Sequence, residues 1–470
     1  MIKVMKLGTF FWILLAMQLQ AQQVQWASKV VSYSSDLGGK QFGIKQILGK
    51  PNAFPQCESS PTAWMPKSAL SGAQVLEVAF EKEQTVQQIA IFENLNSGCV
   101  KVISVAGSDN KYKEVWRWTT DWRNQPFKRN LKTDRSYYFN RKRRKVEPAP
   151  PVDGFPGIHR VLLVEPVANV KSVRIKFDFS ILPGQKQIDA IGISDSNIPI
   201  EAEINSISNN LIESAPELLV NNCYSFTCTE DGNQLFFTRD LEGKQVVYSS
   251  NFTKLSEVSQ VNVCSANLSY NYLQGGNGNL FLHGGATYSA SQGETGWNLL
   301  EYKNGNFQNL GKLRIAAYSN YGETADATIT SDGKIVILAV ESDLTQGGSD
   351  LYLARRKDDG TYTYLENLGK QLNTAADELA PFLCADNKTL LFASNGFSGY
   401  GGMDIFVSKR LDDTFLNWSE PKNLGNLVNS DANEVGAAIT AKNQLLVNKQ
   451  TEDGSAIFRL KLKNSDFEDK

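Results

Sequence analysis

The sequence predicts an all-β chain in which an N-terminal jelly-roll sandwich precedes a five-bladed β-propeller, with six blades as the alternative. Three observations predict it. Apolar runs at 379–383, 389–394 and 404–409 are separated by turn residues, and a weaker run precedes Leu424-Gly425. That is the pattern of a four-stranded antiparallel meander. The meander recurs upstream: Gly347-Gly348-Ser349-Asp350-Leu351-Tyr352 returns as Gly401-Gly402-Met403-Asp404-Ile405-Phe406, 54 positions on, and Leu368-Gly369 returns as Leu424-Gly425, 56 positions on. One such sheet cannot bury both of its faces, so its repetition implies a ring. Glycine is plentiful, at 36 residues, and no long amphipathic helical pattern appears.

A chain of 470 residues predicts two or three domains. Residues 1–21 read as a signal peptide. Lys3 and Lys6 precede an apolar stretch at 9–17 that is too short to span a bilayer, and Leu19-Gln20-Ala21 offers a cleavage site before Gln22. No cysteine follows at once, so no lipid anchor is expected, and the mature chain is expected to be exported and soluble. Residues 22–196 form the first β domain, with candidate strands at 75–80, 86–92, 100–106, 160–165, 170–177 and 188–193. Val173, Ile175 and Phe177 alternate with basic residues, the half-buried pattern. An insert at 117–151 carries eleven basic residues between Arg117 and Lys145, with only Asp121 and Asp134 opposing them in that span. The linker is 195–199, the propeller 200–463 and a charged tail 464–470. Blades one to three are expected at 224–249, 279–310 and 325–365. Blade five shows three strands, at 435–439, 444–447 and 456–462, so its fourth should come from the start of the propeller. The candidate is 200–204, because Asn205-Ser206 after it matches Asn429-Ser430 and Asn373-Thr374.

The block 377–430 resembles the PD40 repeats, the TolB-like variety of WD40-like repeat, of Bacteroidetes-type envelope proteins. The residues that carry the resemblance are Asp386-Asn387-Lys388-Thr389-Leu390-Leu391-Phe392, the Gly-Gly-Met-Asp-Ile-Phe run, and the string from Asn395-Gly396 to Trp418-Ser419-Glu420-Pro421. The first domain resembles a discoidin or galactose-binding-like jelly roll. It does so through Gln46-Ile47-Leu48-Gly49-Lys50-Pro51-Asn52, Ala63-Trp64, Phe92-Glu93-Asn94-Leu95-Asn96-Ser97-Gly98 and Gln187-Ile188-Asp189-Ala190-Ile191-Gly192. The second resemblance implies that loops at one end of the sandwich bind glycans or other surfaces, and it places Trp64, Glu93, Asn94 and Asn96 on such loops. The plain reading of the same residues is that asparagines make turns and a tryptophan fills a core.

Little else in the sequence carries chemistry. His159 and His283 are the two histidines, and neither has a metal-ligand partner at the right spacing. No nucleophile elbow, phosphate loop or dinucleotide fingerprint appears, and no cofactor or metal is expected. Glu323, Asp377, Glu378 and Glu434 precede inner strands at matching places. They would gather at one mouth of a channel to hold a cation or basic peptide, or each would accept hydrogen bonds from a neighbouring blade's turn. Cys57 and Cys99 are expected to bridge in an oxidising compartment, whereas Cys228 and Cys384 read as buried thiols. Arg141, Lys142, Arg143 and Arg144 would attract an anionic partner such as lipopolysaccharide, or would keep a hairpin solvated. The net charge of −2 gives no global field for nucleic acid. These expectations converge on a non-enzymatic periplasmic or outer-membrane-associated scaffold or recognition protein. Its partners would be envelope proteins, outer-membrane barrels or glycans, and the resemblances link it to gliding or type IX secretion. The alternative is a glycan-active enzyme with an appended carbohydrate-binding jelly roll.

Overall fold

A computed structural model describes residues 22–56, 59–118 and 157–464, apart from 183, 243, 253, 262, 264–271, 285–293 and 453. It also describes Phe467 and the backbone of three short strands between 127 and 148. The chain is all-β: an N-terminal β domain, then a propeller of five four-stranded blades.

The N-terminal domain is organised by two long antiparallel strands, Ala73–Glu93 and Gly157–Asp178, which pair along their length. The first half of Ala73–Glu93 also pairs with Lys29–Tyr33, and its second half pairs with Ala190–Ser194. Val100–Ala106 joins the other side of Gly157–Asp178. Leu76, Val78, Phe80 and Val86 are buried in the same core as Ile89 and Ile91. The inward parity therefore flips from even to odd between Val86 and Ile89, where the register shifts. An irregularity of that kind bends a strand and re-aims its side chains, which lets both halves serve one core.

The linker is clamped to this domain. Gln88, fully buried, donates to the carbonyls of Ser196 and Ile198 and accepts from the amide of Ile200 at 2.8 Å. Ile200 itself is buried with Phe54, Phe92 and Ile158.

In the propeller, blades three and four follow the predicted meander. Ile335–Val340 and Asp350–Arg355 form the middle of blade three, and Glu378–Leu383, Thr389–Ser394 and Asp404–Lys409 build blade four. Blade two differs from expectation: its innermost strand is Leu273–Asn277, upstream of the predicted start. Blade one gains an outer strand at Lys254–Gln260. The outermost strand of blade three is Glu366–Asn367 rather than 362–365.

The repeated sequence motif is a contact between blades. Gly348 donates to the Ala376 carbonyl at 2.9 Å, and the Ser349 amide donates to Asp377 Oδ1 at 2.9 Å. One blade on, Gly402 donates to the Ala432 carbonyl at 3.2 Å, and Met403 donates to Asn433 Oδ1 at 2.9 Å. A Cβ at Gly348 would collide with the Asp377 carboxylate, and one at Gly402 with the Asn433 amide. Behind each turn stands the same polar chain. Asp350 accepts from Asn367 at 2.7 Å, and Asn373 caps both backbone groups of Leu351. Asp404, Asn423 and Asn429 repeat this arrangement around Ile405.

Ring closure follows the expected principle but uses another segment. The fourth strand of blade five is Glu217–Asn221, which pairs with Gly454–Lys461. The expected 200–204 is instead held by the N-terminal domain through Ile200. Residues just after it run parallel to the outer edge of blade four, with Asn423 donating to the Asn205 carbonyl at 2.7 Å and Ile207 donating to the Asn423 carbonyl at 2.9 Å. The motif match was real, but burial of Ile200 in the other domain outweighs it.

Two outcomes test this architecture. Val220 is buried in the closing strand, so Val220→Asp should cost about 3 kcal/mol or more, with hydrogen exchange localising the lost protection to Gly454–Lys461. Gly402→Ala should cost roughly 1–3 kcal/mol, read from the denaturant midpoint, because the added methyl forces two blades apart.

Candidate functional site

The N-terminal domain docks on the propeller through named contacts. Ser398 Oγ donates to the Pro51 carbonyl at 2.6 Å, Lys50 lies 3.6 Å from Glu420, and Lys40 donates to the Thr345 carbonyl. Arg160 donates to the Ile200 carbonyl at 2.9 Å and pairs with Glu201. Between the domains lies a cleft of about 900 Å³. One wall is the short 3-10 turn Ile44–Ile47 and the residues that follow it to Asn52. The other wall is the loop 370–375 with Phe397, Ser398 and Glu420, and the linker residues Glu203 and Asn205 complete the lining. Ile44 and Ile47 are buried, which anchors the turn and leaves Lys45 exposed toward solvent. Gly369, with φ +80°, turns the chain so that Lys370 and Gln371 stand out from blade three's rim.

A second cavity, of about 190 Å³, is the propeller's central channel, lined by the inner strands of all five blades. Its carboxylate is Asp326, which no sequence motif singles out. Asp326 accepts from the Gln274 amide group and from the Ala380 amide at 3.1 Å, tying blades two, three and four together. Burial pushes its carboxyl above the usual range.

The acidic residues expected at the channel mouth separate into different environments. Glu323 is exposed, whereas Glu378 and Glu434 are fully buried. Asp377 receives the Ser349 amide from the neighbouring blade. Glu378 accepts from the Thr374 amide at 2.8 Å and from the hydroxyls of Thr374 and Ser394 at 2.7 and 2.8 Å. Glu434 accepts from the Ser430 amide and hydroxyl, and Lys449 lies 3.2 Å away. Asp377, Glu378 and Glu434 therefore brace turns.

The residues that the second resemblance places on binding loops also face inward. Trp64 is 1% exposed, with its ring 6.1 Å from both Phe177 and Phe179. Glu93 receives the Gly98 amide at 3.2 Å, Asn94 donates to Gln187 at 2.7 Å, and Asn96 donates to the Gln185 carbonyl. Together they hold the 93–99 turn against 185–189. Asp189, in the same loop cluster, receives the amides of Asn52 and Ala53 at 3.0 and 2.9 Å and so shapes the cleft wall from behind. Cys99 is a free buried thiol, and Cys57 lies outside the described residues. Arg141, Lys142, Arg143 and Arg144 also lie outside them. Cys228 and Cys384 are buried thiols, as expected. Among the described residues no cluster of His, Cys, Asp and Glu could hold a metal ion.

Burial raises Glu378 to about 8, against lowering by its hydrogen bonds from Thr374 and Ser394. It likewise raises Glu93 to about 8, Asp189 to about 7 and Asp404 to about 6. An acid whose folded pKa exceeds its unfolded value holds its proton longer in the folded state. Its contribution is complete below the unfolded value and is lost as pH rises through the folded one. The melting temperature should therefore fall as pH rises from 4.5 to about 8. Glu378→Gln should melt lower overall but show a shallower pH slope in that window, read by calorimetry.

Residues 17–136 match a family model described as Pappalysin-1, SD scarf domain, C-terminal. No curated protein matches the chain. Among solved structures, TolB from Acinetobacter baumannii is similar at 14% identity over 51% of this chain and 54% of that one, with a TM-score of 0.30. The chain thus spans about half the length of that TolB structure. An α-L-arabinofuranosidase from Lactobacillus brevis is similar at 12% identity over 56% of this chain and 94% of its own, with a TM-score of 0.32. The Bacteroides ovatus xyloglucan PUL GH43B is similar at 12% identity over 55% and 56%, with a TM-score of 0.32.

Proposed function

We propose that this is a non-catalytic recognition or scaffold protein of the cell envelope, in which an N-terminal jelly roll and a TolB-like propeller together present a binding cleft. One observation carries the reading. The two domains are held together by directed hydrogen bonds, yet they leave a cleft of about 900 Å³, lined by both polar and apolar side chains, open between them. Sites of roughly 300–1,000 Å³ are the usual size for a bound ligand. The buried carboxylates support a role without chemistry, because Glu93, Asp189, Glu378 and Glu434 already receive backbone amides that fix turns. A general acid or base has to reach a substrate proton, and groups so engaged do not.

The N-terminal Lys3, Lys6 and apolar 9–17 pattern supports export to the periplasm or the outer-membrane face. Among the described residues no helix is long and apolar enough to cross a membrane.

The test is a combined binding and hydrolysis screen of the purified full chain against envelope proteins and glycans. The expected outcome is saturable binding without release of new reducing ends. Turnover of any bound glycan would overturn the reading in favour of the glycan-active enzyme.

A further inference from the structure

We propose that the cleft between the two domains binds an acidic oligosaccharide, a chain of hydroxyl-bearing rings that also carries carboxylate or phosphate groups. This rests on the recognition reading above and names its ligand class.

Charge is the first argument. The cleft is lined by Lys40, Lys45, Lys50 and Lys370, opposed by Glu203 and Glu420. The whole chain carries a net charge of −2, so this excess of positive charge is local. Lys50 is near Glu420 at 3.6 Å, and Lys40 is directed to the Thr345 carbonyl. Lys45 and Lys370 are exposed and make no ion pair among the described residues. They come from opposite walls, one from each domain, so an anion held by both would span the cleft.

The remaining lining chooses among anions. Gln46, Asn52 and Gln371 border the cleft. A side-chain amide offers donors and an acceptor side by side, which matches a sugar hydroxyl that both gives and takes a hydrogen bond. Leu48, Pro51, Phe397, Phe406 and Pro421 add apolar surface between these polar groups, which suits the C–H faces of sugar rings. The size of the cleft leaves room for several sugar rings. Its geometry is set before binding, since Ser398 ties the Pro51 loop to the propeller and Asp189 holds Asn52 and Ala53 from behind. Preorganised walls cost less ordering on binding.

The experiment is titration calorimetry of the full chain with four probes: hexagalacturonic acid, a phosphorylated hexasaccharide, neutral maltohexaose and poly-glutamate. The expected result is binding of at least one acidic sugar about tenfold or more tighter than the neutral one. The two acidic probes distinguish carboxylate from phosphate as the favoured anion. Binding should weaken with salt as the Debye length falls from about 10 Å at 0.1 M to about 3 Å at 1 M. The double variant Lys45→Glu/Lys370→Glu should lose about tenfold or more in affinity with an unchanged melting temperature, because both side chains are exposed. The proposal is overturned if no acidic sugar binds, if acidic and neutral sugars bind equally, if the double variant binds as wild type, or if poly-glutamate binds tightest. Cleavage of an acidic sugar bound in the cleft would sink the recognition reading while leaving this site standing. An envelope partner whose binding ignores Lys45→Glu/Lys370→Glu would do the reverse.

Discussion

The structure depends on the contact between a two-glycine turn of one blade and the polar side chain that opens the next. At the junction of blades three and four the Gly347-Gly348 turn lies against Ala375, Ala376 and Asp377. At the next junction Gly401-Gly402 lies against Ser430, Ala432 and Asn433. Each approach leaves no room for a Cβ, so the spacing between blades is set by the absence of a side chain. Because the backbones come this close, the amides of Ser349 and Met403 find acceptors across the gap. A blade presents two apolar faces, and only a neighbour held at this distance buries them.

The same logic explains why buried carboxylates are common here. A turn that must fit a neighbour has amides pointing inward, and these need acceptors away from water. Glu378 and Glu434 supply them within their own blades, and Asp377 supplies one across a junction. Burial raises the carboxyls of Glu378 and Asp404, while directed amides and hydroxyls pull the other way. Such groups rigidify loops, and the loops of blades three and four form one wall of the interdomain cleft. The opposite wall is made rigid in the same manner by Asp189, which receives the amides of Asn52 and Ala53. Gln88 holds the linker between them, so the cleft inherits its shape from buried polar groups on both sides.

The sequence by itself determined the class and the two-part order, and it favoured five blades over six. Strand alternation and the 54-residue recurrence of Gly-Gly-x-Asp are local signals, and they survive because each blade is a local meander. Three strands are legible in blade five, and the sequence therefore pointed to a fourth supplied from the start of the propeller. Tertiary structure decided which segment closes it. The choice between 200–204 and Glu217–Asn221 turned on whether Ile200 packs against Phe54 and Phe92 of the other domain, a contact no local pattern encodes. The inner strand of blade two, Leu273–Asn277, was illegible for a related reason: its Gln-Gly-Gly-Asn run reads as a turn and becomes strand only when its neighbours pair with it. Tertiary structure alone also decided the fate of polar residues. Glu93, Asn94 and Asn96 resemble exposed loop residues in sequence, yet they face inward because the 93–99 turn needs their oxygens and amides. Lys45 and Lys370, unremarked in sequence and 325 residues apart, share one cleft because a clamped linker folds the first domain onto the propeller's rim.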